Sequence, residues 1–411
     1  MRKLINCKLL FLCPFLLAAC GNENDPTPSI PPANQPDAIE LGVTAGVTLT
    51  KSVINSGTQT ATDKDDVMKS VAVYARLKGT ISSGEDPYTN AKSNNYALYT
   101  YSTTNPAGWK SGDKKIYLTS EVAKIYAYYP AYKPGSSQEL ATTTALTLTD
   151  NTATDNSTIP VTVFAGSTGN TDSKYPSTLI DNSETTSTNK TKINSAKGEI
   201  DYMWASQGNV PTTETNWITA SNAKKETSIG ASVSLSMQHA LTLVSFRIYN
   251  DGTYKNKGEL SKIQLKDVPN QAASSSGTDI AKMNINTGAL SDMTGTTKTV
   301  TYTREFTSNY TLKKQGSTGL TNTDAAKNAS YRFSILALPI SSKSLQSTKA
   351  IFTIDGADYE VALADNATGV SWEQGKEHIY TAKLSGKELS ITSVTVATWT
   401  NGTGNDDLKV N

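Results

Sequence analysis

Alternation with a period of two dominates the chain from residue 38 onward. The segment 70–78, SVAVYARLK, puts Val71, Val73, Ala75 and Leu77 on one face. The same spacing recurs at 115–119, 122–129 and 140–148, and in Val233, Leu235 and Met237. It continues through Val244, Phe246 and Ile248, through Ile263 and Leu265, through Phe333, Ile335 and Ala337, and through 351–353 and 359–361. Short runs of this kind, separated by Gly, Asn, Asp, Ser and Pro, predict half-buried antiparallel strands. No amphipathic helix longer than about two turns is predicted. Roughly sixteen to eighteen strands exceed one small sandwich, so the expectation is an all-β chain with two β-sandwich domains in series.

The pattern also suggests where the chain divides. Residues 151–194 are rich in Thr, Ser and Asn, and read as a surface excursion with a strand or two near 159–164. Residues 211–228 are again polar, and apolar alternation restarts at Ile229, which predicts domains over 38–228 and 229–411. In the last predicted strand Leu389 and Ile391 share one parity, whereas Val394 and Val396 take the other. A bulge near Thr392 and Ser393 reconciles the two.

Before residue 38 the pattern is different. Arg2, Lys3 and Lys8 precede an apolar run over 9–19. That run is short of the roughly 20 residues needed to span a bilayer, and has the flanks of a secretory signal over 1–19. It ends in Leu17, Ala18, Ala19, Cys20 and Gly21, which resembles a bacterial lipoprotein signal whose cysteine, Cys20, receives lipid. In an ordinary secretory signal the cysteine would be incidental. Residues 20–37 hold five prolines and little that is apolar, a composition that stays extended and suits a tether. Glu23 and Asp25 resemble acidic export signals of Bacteroidetes surface lipoproteins. Nothing after residue 19 reads as membrane-spanning, so lipid would be the attachment.

Charge narrows the choice of partner. The chain carries 38 basic and 37 acidic residues, and removal of 1–19 leaves 35 and 37. Such balance argues against nucleic acid, which calls for a basic excess on one face. Serine and threonine make up about a quarter of the residues, the composition of strands with polar outer faces and frequent turns. The three cysteines are Cys7, Cys13 and Cys20. A thiol nucleophile, a zinc–thiolate site and a disulfide scaffold are thereby excluded from the body of the protein.

Catalytic motifs are missing too. The two histidines, His239 and His378, lie 139 positions apart and neither belongs to an H-E-x-x-H pattern, so His239 reads as a hydrogen-bonded residue at a strand end. No nucleophile elbow, phosphate loop or dinucleotide fingerprint is present. Asp63, Asp65 and Asp66 lack the glycine and closing glutamate of a calcium loop. No enzymatic activity, cofactor or metal is expected. Of the five tryptophans, Trp204 and Trp399 sit in apolar strands and are expected in the core. Trp109 and Trp217 lie in Gly/Asn-rich stretches, where exposed rings could stack on sugars.

Several motifs occur in a telling order: the lipoprotein signal, the proline-rich tether, the apolar strand over 38–46, and Thr48-Leu49-Thr50-Lys51-Ser52. VAVYA at 71–75, IYAYYP at 125–130, DYMWA at 201–205, MQHAL at 237–241, WEQGK at 372–376 and the strand 394–399 follow. Together they resemble the fimbrillin (Mfa-like) family of Bacteroidales, subunits of the type V pilus. The resemblance implies two transthyretin-like sandwiches and a lipidated precursor at the outer membrane, without choosing among shaft, anchor and tip. It implies a trypsin-like protease that cuts after a basic residue beyond the first strand; here that maps to Lys51, leaving Ser52 as the new N-terminus. Lysine departs from the arginine expected in the oral relatives. Cleavage there would leave 34 basic and 33 acidic residues.

The displaced strand would carry Ile39, Leu41 and Val43 on one face. With about five apolar side chains entering the vacated groove, burial would supply on the order of 10 kcal/mol, reduced by ordering and association costs. The candidate donor is the C-terminal strand, with Leu389, Ile391, Val394 and Val396, plus the tail that follows. Expected partners are other pilus subunits, the outer membrane and the processing protease, in a fimbrium that supports adhesion. The alternative is a non-polymerising surface lipoprotein that binds glycan or host protein.

Overall fold

The computed structural model describes residues 37–44, 70–77, 96–102, 108–112, 115–130, 158–187, 190, 192–206, 217–273, 281–291, 299–340, 347–363 and 371–399. The first strands are β1 (Ile39–Glu40), β2 (Gly42–Thr44), β3 (Ser70–Leu77), β4 (Tyr96–Ser102), β5 (Gly108–Ser111), β6 (Tyr117–Leu118) and β7 (Ala123–Tyr129). Next come β8 (Thr158–Val161), β9 (Lys174–Tyr175), β10 (Met203–Ser206), β11 (Thr219–Ala220), β12 (Ser232–Ser234), β13 (Ser236–His239) and β14 (Thr242–Asn250). The rest are β15 (Glu259–Val268), β16 (Ala281–Asn284), β17 (Leu290–Ser291), β18 (Val300–Thr311), β19 (Lys313–Lys314), β20 (Arg332–Ala337), β21 (Lys349–Ile354), β22 (Ala357–Ala362), β23 (Lys376–Ser385) and β24 (Glu388–Thr398). The fold is all-β; among the described residues the one α-helix is α1 (Thr323–Ala329), capped by the Asn322 side chain, which accepts from Ala325 N–H at 2.8 Å.

Three larger sheets carry the fold. One runs β13-β10-β7-β3-β4-β5, with β11 also on β7; a second runs β22-β21-β15-β18-β9; a third runs β19-β14-β23-β24, with β20 on β14. Two apolar cores result. The first gathers Leu41, Val43, Val71, Val73, Ala75, Tyr99, Ile125, Met203, Val233 and Met237. The second and larger one joins the other two sheets around Phe246, Phe333, Phe352 and Tyr380.

Alternation places Val71, Val73 and Ala75 together, as expected. The strand is not half-buried, however. Ala72 and Tyr74 on its other face belong to the second core, along with Tyr126, Tyr128 and Trp204 of neighbouring strands. The sheet is thus covered on both sides, because an aromatic layer on its outer face packs against the second half of the chain. Polar sites in buried strands survive only with partners: β14 is buried throughout, and its Ser245 Oγ lies 2.7 Å from both Ser334 Oγ and Glu377 Oε1.

The 151–194 stretch is more than a surface excursion. β8 pairs antiparallel with β16, β9 pairs parallel with β18, and Ile159, Val161 and Tyr175 are buried. Arg304, fully buried, donates to Phe164 O at 2.7 Å, to Ala165 O at 2.9 Å and to Glu199 Oε1 at 2.8 Å through Nε. Burial pushes the Glu199 carboxyl up in pKa and Arg304 opposes that shift. The segment around 158–200 therefore pairs with strands beyond residue 228.

Candidate functional site

The seat of the first strand is built from three parts of the chain that are remote in sequence. β1 runs antiparallel to β6, with Ile39 opposite Leu118 and Glu40 opposite Tyr117. At Leu41 the chain changes neighbours, and β2 runs parallel to β12, with Val43 opposite Val233. Leu41 N–H donates to Ile116 O and Gly42 N–H to Ala231 O, each at 2.8 Å. Segment 37–44 is thus hydrogen-bonded along one flank and then along the other.

Side chains fix its depth. Leu41 is 1% exposed and Val43 8%, and both belong to the first core. From below, Tyr99 OH donates to Leu41 O at 2.6 Å; burial, with Glu40 nearby, raises that phenol's pKa above its ordinary value. A polar rim completes the seat. Glu40 accepts from Ser111 Oγ at 2.5 Å and from Lys115 Nζ at 2.7 Å, and this bond holds the Lys115 pKa above its usual value. Asp37 pairs with Lys224 at 2.5 Å, and its carbonyl accepts from Asn222 Nδ2 at 3.1 Å.

One residue of this strand is less buried than its neighbours in the pattern. Ile39 does not join Leu41 and Val43: it is 46% exposed. Ile39 stands opposite Leu118 of the first core, so it keeps the parity of Leu41 and Val43 without their burial. In the described part of the strand, two apolar side chains enter the core, Leu41 and Val43. Cys20, Lys51 and Ser52 lie outside the described residues.

The C-terminal strand is held differently. β24 pairs antiparallel with β23 from Thr398 opposite Lys376 to Glu388 opposite Ser385. Ser393 faces Thr381 and Ile391 faces Ala382, so Thr392 is the bulged residue, where the parity change placed it. Leu389, Ile391 and Val394 are half-buried against the second core, and Val396 is 47% exposed. Beyond the strand Trp399 is buried, with its ring stacked on His239 at 3.6 Å and 3°. His239 Nδ1 lies 2.7 Å from Asp201 Oδ2; burial raises the Asp201 pKa and His239 works against that rise. His239 is thus the hydrogen-bonded strand-end residue its context suggested. His378, also buried, accepts from Glu373 N–H at 3.0 Å through Nε2.

Trp204 and Trp399 are core residues, as expected, at 2% and 7% exposure. The open tryptophans are not sugar platforms. Trp109 lies in β5, buried and edge-on to Tyr101 at 5.6 Å, and Trp217 is buried over Lys124, with Nζ 3.3 Å from the ring centroid. Both rings spend their faces inside the protein.

Sequence reasoning missed the Glu40–Ser111–Lys115 cluster, the Asp37–Lys224 pair and the Trp399–His239 stack. Their members are far apart in the chain, and no local pattern joins them. The one available signal was Glu40 itself, an acidic residue inside an apolar strand.

The model of a family described as Fimbrillin-like matches residues 55–399. No curated protein sequence matches significantly. Among solved structures, the chain is similar to a candidate cell adhesion protein from Bacteroides uniformis, with a TM-score of 0.47 and 16% identity over 90% of this chain and 100% of that one. It is similar to a fimbrial protein from Bacteroides vulgatus, with 0.46 and 14% over 88% and 99%. A third is the tip fimbrial protein Mfa3 from Porphyromonas gingivalis with C-terminal truncation, at 0.39 and 8% over 88% and 99%.

Proposed function

Because this chain belongs to the fimbrillin-like family, a family of pilus-type structural and adhesion proteins, we propose that it is a subunit of a surface fimbrium assembled by strand exchange. In this reading the chain is exported as a lipoprotein on Cys20 and reaches the outer membrane. A trypsin-like protease then cuts between Lys51 and Ser52, and segment 37–44 leaves with the tether. A neighbouring subunit supplies a replacement from its C-terminal stretch, which begins with the strand bearing Leu389, Ile391, Val394 and Val396.

One observation carries the reading. Segment 37–44 fills the first core with Leu41 and Val43 while its backbone bonds to β6 on one flank and to β12 on the other. Its departure leaves an apolar slot bordered by unpaired backbone groups, a state that favours capture of another strand. Refilling it with two such side chains stabilises by about 3–6 kcal/mol, and the regained ladder adds to that.

N-terminal sequencing of shed surface material tests the reading. Ser52 is the expected first residue, together with an SDS-resistant ladder in unboiled samples. Material that begins only at lipidated Cys20 and shows no ladder would overturn it.

A further inference from the structure

The second sheet is broken at its middle, where a sheet is usually most regular. β15 is the central strand of five in the order β22-β21-β15-β18-β9, and it loses register on both sides at one residue. Toward β21, Leu260 faces Ile354 and Lys262 faces Thr353, so Ser261 is the bulged residue. Toward β18, Leu260 faces Tyr310 and Lys262 faces Glu305, so Ser261 stands against residues 306–309. The surplus residues leave the ladder: Thr307, Ser308 and Asn309 are exposed between the buried Phe306 and Tyr310. Such an irregularity forfeits ladder bonds, and bulges recur beside sites where they re-aim a side chain.

Beside the break is a hollow of about 410 Å3, within the roughly 300–1,000 Å3 of small-molecule sites. Its frame is fixed. Asp355 and Gly356 form the turn between β21 and β22, with φ of 49° and 78°, as a tight hairpin requires. The Asp355 carboxylate accepts from Glu259 N–H at 3.0 Å, from Gly258 N–H at 2.8 Å and from Tyr254 OH at 2.8 Å. Asp355 N–H donates back to Glu259 O at 2.9 Å, and Ser261 Oγ donates to Thr353 O at 3.2 Å. On this frame the amides of Asn256 and Asn309, the Glu259 carboxylate and the Lys257 ammonium border the hollow.

These groups select the class of ligand. Both Asp355 oxygens are already bonded, and Glu259 lies 3.6 Å from Lys257, so the charges nearly offset one another. A phosphate, a sulfate or a sialic acid would face two carboxylates against one ammonium. A metal ion would find a single uncommitted carboxylate; among the described residues no three His, Cys, Asp or Glu side chains gather to hold one. What remains are amides that donate and accept, a carboxylate that accepts and an ammonium that donates. That mixture suits a run of adjacent hydroxyl groups.

We propose that this hollow binds a neutral sugar unit of a surface glycan through hydrogen bonds to Asn256, Lys257, Glu259 and Asn309. The site shares no residue with segment 37–44 or with β24, and it works without strand exchange.

A printed array of neutral oligosaccharides and their sialylated forms tests the site on the full chain. Retention of neutral members is expected, and a sialic acid on the bound sugar should abolish it. In the Asn256→Ala, Asn309→Ala double variant the hydrogen bonds of two amides are lost, each worth roughly three- to tenfold in affinity. Retention should therefore fall by roughly tenfold or more. Both side chains are exposed, so the melting temperature should stay within roughly 2 °C. Glu259→Gln, which keeps the shape of the side chain, should weaken retention by roughly threefold or more. Retention of no neutral oligosaccharide, retention of sialylated ones only, or equal retention by the double variant and the unaltered chain overturns the site. Retention lost in the double variant upholds it even where no SDS-resistant ladder forms, an outcome that counts against strand exchange alone.

Discussion

Segment 37–44 is bonded along one flank at Ile39–Glu40 and along the other at Gly42–Thr44, whereas β24, among the described residues, is bonded along one flank through ten of its eleven residues. The first has two buried apolar side chains and a rim of charged partners. The second spreads Leu389, Ile391 and Val394 over the second core and ends in a ring stacked inside the protein. On the proposed strand exchange, the contrast teaches what would make a strand replaceable. A slot bordered by one strand edge and then by another offers an incoming backbone hydrogen bonds along its length, so the occupant is selected by its pattern. A strand pinned by a buried ring cannot leave without exposing that ring and stripping its neighbour of half its ladder.

The largest effect should come from deleting each strand in turn. Without 38–46, the chain should keep its β-rich circular dichroism and self-associate, because both borders of the slot stand open. Without 388–399, β23 becomes an unprotected edge over an opened core, and the chain should lose its cooperative melt. A well-behaved soluble monomer from the first deletion would break the comparison at its base.

Point substitutions sharpen it. Trp399→Ala removes a large buried ring and is expected to cost about 3 kcal/mol, lowering the melting temperature by roughly 6–12 °C. If β24 stays in its own subunit on the proposed assembly, that loss appears in precursor and polymer alike. Leu41→Ala should cost about 2–5 kcal/mol in the precursor and, on the proposed strand exchange, nothing in the polymer. Equal losses from Leu41→Ala in both forms would mean that the first strand never leaves.

The two regions also differed in how far they could be read from sequence. β24 announced itself: its alternation, the parity change at Thr392 and the burial of Trp399 are local properties of a long strand. The first strand showed only its apolar residues. The exposure of Ile39 was not legible, because parity gives a face and not how far neighbouring segments cover it. Trp109 and Trp217 looked free for the same reason: what covers them comes from Tyr101 and Lys124, and pairing that brings such residues together is a property of topology. The outer face of β3 was taken for a polar surface because Tyr74 and Tyr126 gave no hint that the second half would cover them.

The smallest expected effect concerns the charged rim. Glu40→Gln keeps the shape of the side chain and a hydrogen bond from Ser111, and removes the charge facing Lys115. Both partners are about a third exposed, so solvent screens the pair and the loss should be below about 1 kcal/mol. The raised Lys115 pKa fixes the sign of its pH dependence: the contribution is complete below the lysine's ordinary 10.5 and fades only as pH rises through the raised value. Acidification through the lysine is therefore not a route to releasing the first strand. In thermal melts of the full chain, Glu40→Gln should lower the midpoint by a few degrees at most, and high salt should close the gap by screening. A drop as large as that of Leu41→Ala, and insensitive to salt, would mean that the rim rather than the apolar pair holds the strand. A slot gripped in that way would select its occupant by charge first.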